Sequence, residues 1–336
     1  MYTNPSARSW TCKPAPRDVR EFHAELPRYH PSPLIEIAPR VFVKDESDRF
    51  GLPAFKILGA SWAVNRAIGP ARTFRELADL VAGRSLTLLT ATDGNHGRAL
   101  AYVARLLGLQ ARIYVPTGLP DSTVQAIRNE GAEVIDTGGA YDDAVRIAAA
   151  SCTAEDVLIQ DTAWHGYEEV PRWIVGGYLT LFEEIDAELG DDPGLVVVPT
   201  GVGSLLQSAI EHYRAPGRSR RTAILAVEPV TAACVTASLQ AGKPVSVDAS
   251  VPTIMAGLNC GTVSSTAWPA IQHGLDASIA VTDAEARAAL ETLRSHGLLV
   301  GPCGAAALAG AQAARDLGPA TSVVLISTEG IEANRT

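Results

Sequence analysis

The chain contains no Cys-x-x-Cys pair. Its five cysteines, Cys12, Cys152, Cys234, Cys260 and Cys303, are scattered and odd in number, which argues against a disulfide framework or a zinc ribbon and points to reduced thiols. No metal site is expected. No apolar run is long enough to span a bilayer, and the opening Met-Tyr-Thr-Asn-Pro-Ser-Ala-Arg-Ser-Trp lacks the apolar core of a signal peptide. A cytoplasmic location is the expectation. Positive charge is also short, at a formal net charge of -9, so neither nucleic acid nor an anionic membrane is expected as a partner. Internal repeats and low-complexity stretches are absent.

What remains is ordinary globular material. The 336 residues are 47% hydrophobic and 19% charged, enough for two domains or for one large domain with an inserted lobe. Short β-branched runs alternate with Ala/Leu-rich stretches of helical period. Leu86–Thr90, Ala111–Val115, Glu133–Asp136, Val157–Ile159, Leu195–Pro199, Ala223–Val227 and Val323–Ile326 read as strands, and Arg98–Leu107, Ser122–Glu130 and Tyr141–Ala150 as helices. This rhythm predicts an α/β protein with mainly parallel, buried sheets. The first forty residues, rich in Pro and Arg, read as an arm wrapping a domain. Residues 81–173 are expected to form a small domain, and 1–80 with 174–336 a large one.

Four polar turns could carry chemistry. Lys56 sits between Phe55 and Ile57; buried among apolar neighbours it would be a usable amine nucleophile, and exposed it would simply snorkel. Thr90-Ala-Thr-Asp-Gly-Asn-His-Gly97 follows a strand and opens a helix, so Thr92, Gly94 and His96 present a turn suited to a substrate carboxylate. Asp93 within that turn needs a reason such as proton transfer or an ammonium partner, although helix capping by Thr92 or Asp93 would also account for it. Gly201, Val202, Gly203 and Ser204 form a glycine turn between a buried strand and a helix, a geometry that binds phosphate; the turn matches neither the full Gly-x-Gly-x-x-Gly fingerprint nor a Walker lysine. Asp161, in Gln160-Asp-Thr-Ala-Trp-His-Gly-Tyr167, is either a second acid or a helix cap. Cys303 is either a site thiol or a small buried hydrophobe, and Ser327-Thr-Glu-Gly330 is a last polar turn.

Taken in order, these segments resemble the fold-type II family of pyridoxal-phosphate enzymes, which includes the serine and threonine dehydratases, the cysteine synthases and the tryptophan synthase β chain. Three phrases look specifically like the diaminopropionate ammonia-lyases of that family: Arg49-Phe-Gly-Leu-Pro-Ala-Phe-Lys56, Ala91-Thr-Asp-Gly-Asn-His-Gly-Arg98 and Gln160 to Tyr167. Ala256-Gly-Leu-Asn-Cys-Gly261 and Ser327 to Gly330 add to the likeness, which runs from about Ser32 to Gly330. His165 and Asn259 depart from the family's usual Glu and Ala.

The resemblance implies two three-layer α/β/α domains, with the large one binding pyridoxal 5'-phosphate, and a homodimer. It implies that Lys56 forms the internal aldimine, that Asn95 contacts the 3′-oxygen, and that Gly201 to Ser204 hold the phosphate. Cys303, Ser327 or Thr328 would face the pyridine nitrogen. In such lyases the released lysine, here Lys56, removes the α-proton of the L-substrate, and Asp93 serves the D-enantiomer. Asp161 would orient or protonate the leaving β-amine. The product would be aminoacrylate and then pyruvate with two ammonia. A serine or threonine dehydratase, a β-replacement synthase and a non-catalytic cofactor-binding protein remain the alternatives. Asp93 favours the first reading, because dehydratases usually carry a small hydroxyl residue in that turn.

Overall fold

The computed structural model describes residues 1–13, 18–219, 221–314 and 321–334. In chain order its strands are β1 (Tyr2–Thr3), β2 (Leu34–Ala38), β3 (Val41–Asp45), β4 (Thr87–Ala91), β5 (Gln110–Val115), β6 (Glu133–Asp136), β7 (Asp156–Leu158), β8 (Leu195–Pro199), β9 (Ala223–Pro229), β10 (Ala277–Val281) and β11 (Val323–Ser327). The chain forms two compact units. The first joins Met1–Pro16, Pro31–Asp48 and Leu181–Ile331; the second joins Arg17–His30, Arg49–Thr180 and Glu332–Thr336.

The first unit is built on a seven-stranded sheet of order β1-β10-β9-β8-β11-β3-β2. Its centre is parallel: Leu195 pairs with Ala223 on one side and Val323 on the other. Every residue of β8 and β9 is buried, which is why β8 and the stretch Ala223–Val227 of β9 read as unbroken apolar runs; a parallel strand covered on both faces has little polar surface to show. Only the two edges are antiparallel, β1 against β10 and β2 against β3. The core gathers Val197, Leu225, Ala277 and Leu325 with Ala305 to Ala309 of the helix Pro302–Ala313. The opening segment is more than an arm. Residues 34–38 are a true edge strand, half-exposed and bulged between Glu36 and Ala38, and that irregular exposure hides the strand from a reading by alternation.

The second unit carries a parallel four-stranded sheet of order β6-β5-β4-β7. Leu89, Ala91, Tyr114, Ala144 and Ala148 form its core. Because β7 returns to lie beside β4, with Leu89 opposite Leu158, the turns that follow these two strands emerge side by side. This is where an open parallel sheet places ligand-binding loops.

Two glycines hold a second set of elements in place within this unit. A Cβ on Gly177 would stand 2.3 Å from the Leu58 carbonyl oxygen, and one on Gly59 would stand 2.6 Å from the Tyr178 ring. The helices Lys56–Ile68 and Glu169–Gly177 therefore touch backbone to backbone, and no rotamer change relieves a clash with a carbonyl. Gly177→Ala is expected to cost about 1–3 kcal/mol through overpacking, measurable as a lower urea midpoint with an unchanged slope.

Candidate active site

In the second unit Lys56 is the first residue of its helix. Its Nζ donates to Asp161 Oδ2 at 3.2 Å and lies 5.6 Å from the centre of the Phe55 ring. Asp161 follows β7 and is braced on its other oxygen by the Tyr141 hydroxyl at 3.4 Å and the Gln160 side-chain amide at 3.2 Å. Gln160 is fully buried, and its Oε1 accepts from the Ala91 N–H at 2.8 Å and the Thr90 hydroxyl at 3.0 Å. That amide ties the end of β4 to the turn after β7, so Asp161 is presented next to the Thr92–Gly97 turn.

The same turn explains why the helix after β4 begins at Asn95 rather than Arg98. Thr92 Oγ1 accepts from the N–H groups of Gly94 and Gly97, both at 3.0 Å, so its hydroxyl folds the turn back on itself. Gly94 has φ +154 and a Cβ on Gly97 would meet the Thr92 methyl at 2.3 Å; both positions need glycine. His96 is buried, with Nε2 2.7 Å from the Ile159 carbonyl oxygen. Only an Nε2–H can donate there, and Nδ1 is buried with no hydrogen-bond partner among the described residues.

The electrostatics separate the two acids. Burial works against the Asp161 carboxylate, but the His96 ring and the Lys56 ammonium more than offset it and hold the carboxyl below its ordinary range. Solvent reaches Asp93, yet protein crowds it; that crowding and the neighbouring Asp161 carboxylate push its carboxyl up, against the pull of Lys56. Burial opposes the Lys56 ammonium, and Tyr178, Asp161 and Asp93 together outweigh it, so the free amine is held above the usual lysine range. Two neighbouring carboxylates pushed apart in this way mark out one proton holder and one charge partner.

In the first unit the turn Thr200–Gly203 joins β8 to the helix Ser204–Tyr213. Gly203 has φ +101, and a Cβ on Gly201 would lie 3.0 Å from Cys260 Sγ. A bare backbone at the start of a ten-residue helix is a cradle for phosphate. At the far end of β11, the Ser327 and Thr328 hydroxyls are buried and without a hydrogen-bond partner among the described residues. Cys303, near the start of its helix, is buried, and a Cβ on the adjoining Gly304 would come within 2.6 Å of Ser327 Oγ. Buried hydroxyls left unpaired are costly, and a heteroaromatic nitrogen would satisfy one of them. Each unit taken by itself thus carries groups that suit part of a phosphorylated pyridine aldehyde: the second an amine, the first a turn that can accept phosphate and a buried hydroxyl for a ring nitrogen.

Reasoning from sequence missed Tyr141 and Tyr178 and passed over Gln160. Tyr141 and Gln160 matter because of strand order, which no local pattern encodes, and Tyr178 because of a glycine contact between helices. The adjacent Gly177-Tyr178 pair was the one available signal. Among the described residues no group of His, Cys, Asp and Glu could hold a metal ion, no cysteine is in a disulfide, and no helix is long and apolar enough to cross a membrane.

Comparison with known proteins places this site in context. The model of the pyridoxal-phosphate dependent enzyme family matches residues 26–329. Diaminopropionate ammonia-lyase of Salmonella typhimurium is 36% identical over 79% of this chain and 72% of its own length. The crystal structure of the Escherichia coli diaminopropionate ammonia-lyase, in complex with an aminoacrylate-PLP azomethine reaction intermediate, superposes with a TM-score of 0.80 at 30% identity, covering 98% of this chain and 91% of that one. The biosynthetic L-threonine dehydratase of Mycobacterium tuberculosis is 32% identical, over 75% of this chain and 57% of its own. The chain thus belongs to the pyridoxal-phosphate-dependent enzymes and, among them, to the family of the diaminopropionate ammonia-lyases.

Proposed function

We propose that the protein eliminates both amino groups of 2,3-diaminopropionate, giving pyruvate and two ammonia with the uptake of one water. The observation that carries this reading is the placing of two carboxylates, Asp93 and Asp161, around one lysine, with Asp161 in direct contact at 3.2 Å. A hydroxy-amino acid offers one ammonium group to such a site, whereas a diamine offers each acid a partner.

Pyridoxal phosphate, when bound, supplies the electron sink that takes up the pair left as the Cα–H bond breaks. Lys56 holds its aldehyde carbon, Asn95 faces the ring oxygen, and Gly201, Val202, Gly203 and Ser204 take the phosphate. Ser327 or Thr328, or the Cys303 thiol, meets the ring nitrogen. A neutral group there leaves that nitrogen largely unprotonated, which favours prompt loss of the β-substituent. With substrate in place, Lys56 takes the α-proton of the L-enantiomer, and Asp93 that of the D-enantiomer. Asp161 holds the β-ammonium and steers it out. Thr92, Gly94 and His96 shape the turn for the substrate carboxylate, with the Thr92 hydroxyl acting through the turn it closes.

Residues 81–173 are proposed as the small domain and the flanking segments as the large cofactor-binding one, in a cytoplasmic homodimer whose mass light scattering would give. The function is tested by incubating purified protein with DL-2,3-diaminopropionate and, separately, with L-serine. Pyruvate is expected from the diamine at least about tenfold faster at equal concentration. Pyruvate from serine alone would replace this reading with a dehydratase, and an unchanged cofactor spectrum with every amino acid would leave a binding protein.

A further inference from the structure

Tyr178 lies at the end of the helix Glu169–Gly177. It is fully buried, and its hydroxyl makes no hydrogen bond of good geometry among the described residues. Its ring packs on Phe55, the neighbour of Lys56, at 4.7 Å between centroids. The ring also lies against Gly59, where a Cβ would stand 2.6 Å from it. A phenol needs a partner when buried, and the charged side chains that bear on this one are Lys56, next to Phe55 in the chain, and Asp161. The side chains that act on Asp93 besides burial are, by contrast, Asp161, Lys56 and His96.

We propose that Tyr178 is a positioning residue for Lys56, its hydroxyl donating to the lone pair of the neutral amine and accepting from the ammonium, so that the lysine is aimed in both proton states. Asp161 cannot do this alone. A carboxylate only accepts, so it can hold an N–H of the amine in either state but offers no donor to the lone pair of the neutral amine. The phenol keeps its own proton throughout, because burial pushes it up to about 12. The proposal rests on the reading that Lys56 and Asp93 serve opposite enantiomers, and it predicts that Tyr178 matters on the lysine side.

The test is Tyr178→Phe in the full chain. With the cofactor bound, kcat for L-2,3-diaminopropionate is expected to fall about tenfold, the worth of one hydrogen bond of ~1.4 kcal/mol, while kcat for the D-enantiomer stays within about twofold. Stripped of cofactor and given pyridoxal phosphate, the variant is expected to develop its visible absorbance about tenfold more slowly, since the attacking amine is the same group. Phe55→Leu loosens the same packing and keeps the hydroxyl; it is expected to lower Tm and leave the L-to-D ratio at the wild-type value. Equal losses with both enantiomers in Tyr178→Phe, or the same split in Phe55→Leu, would overturn the proposal. If the wild type makes pyruvate from neither enantiomer, the function reading fails, and the rate of cofactor capture still decides for or against Tyr178.

Discussion

Lys56→Ala is expected to abolish pyruvate formation from both enantiomers of 2,3-diaminopropionate, by roughly 10⁴-fold, because it removes the covalent anchor for the cofactor and one of the two bases together. The fold should survive the change. Alanine is the best helix former, Lys56 opens its helix, and its side chain is 28% accessible and so contributes little to the core. What changes is the charge balance. Asp161 loses the ammonium 3.2 Å away that helps hold its carboxyl down, and Asp93 loses the charge that does most to oppose its upward push. Both acids are then expected to bind protons more readily, and neither can replace an amine that bonds to an aldehyde. Circular dichroism should match the wild type while the visible band of the protein-linked cofactor is gone. Turnover above about a hundredth of wild type would mean that another group carries the cofactor.

The parts of this protein that could be read in advance are those whose cause is local. β8 and residues Ala223–Val227 of β9 are continuous apolar runs because protein covers both their faces, and nothing else in the chain has to be known to recognise them. The two-residue β1 escapes the same reading, since a strand that short has no period. The site divides in the same way. Lys56, Asp93 and Asp161 could each be nominated from the phrase around it, but the ion pair between Lys56 and Asp161 spans 105 residues, and it exists because β7 returns beside β4 after β5 and β6 have been laid down on the other side.

Tyr141 and Gln160 belong to that second class. Their contacts with Asp161 follow from strand order, so a reading of single segments finds a candidate acid without the groups that hold it. Thr92 teaches the reverse lesson. Its hydroxyl was weighed both as a substrate contact and as a cap, and its two hydrogen bonds to Gly94 and Gly97 are those of a cap. A turn can serve a substrate through backbone N–H groups only if something holds those groups in place, so the local role is a condition of the proposed functional one.

Asp93→Asn separates the two proposed bases. Asparagine has nearly the same size and can sit in the same turn, so the path of Thr92 to Gly97 should be kept, but it cannot accept a proton. Turnover of the D-enantiomer is expected to fall by about 10²–10⁴-fold, the usual contribution of a general base, while the L-enantiomer, served by Lys56, stays within about threefold of wild type. The charge change works in favour of the second result. Asp93 is one of the groups that raise the affinity of Lys56 for its proton, so its removal makes the neutral amine easier to reach. The pH profiles carry an independent check. Asp93 acts only when ionised, and crowding by protein and the charge of Asp161 raise its pKa; the acid limb of D-enantiomer turnover in the wild type should therefore lie above the ~3.9 of an unperturbed aspartate. In linkage terms the folded protein binds that proton more tightly than the unfolded chain, so ionised Asp93 costs stability as pH rises through its folded value, and below the unfolded value the cost is absent. Asp93→Asn should accordingly be at least as stable as wild type at neutral pH and lose that advantage in acid. If the variant is equally impaired with both enantiomers, Asp93 is not a base for one face of the substrate, and its place beside Asp161 must serve binding instead.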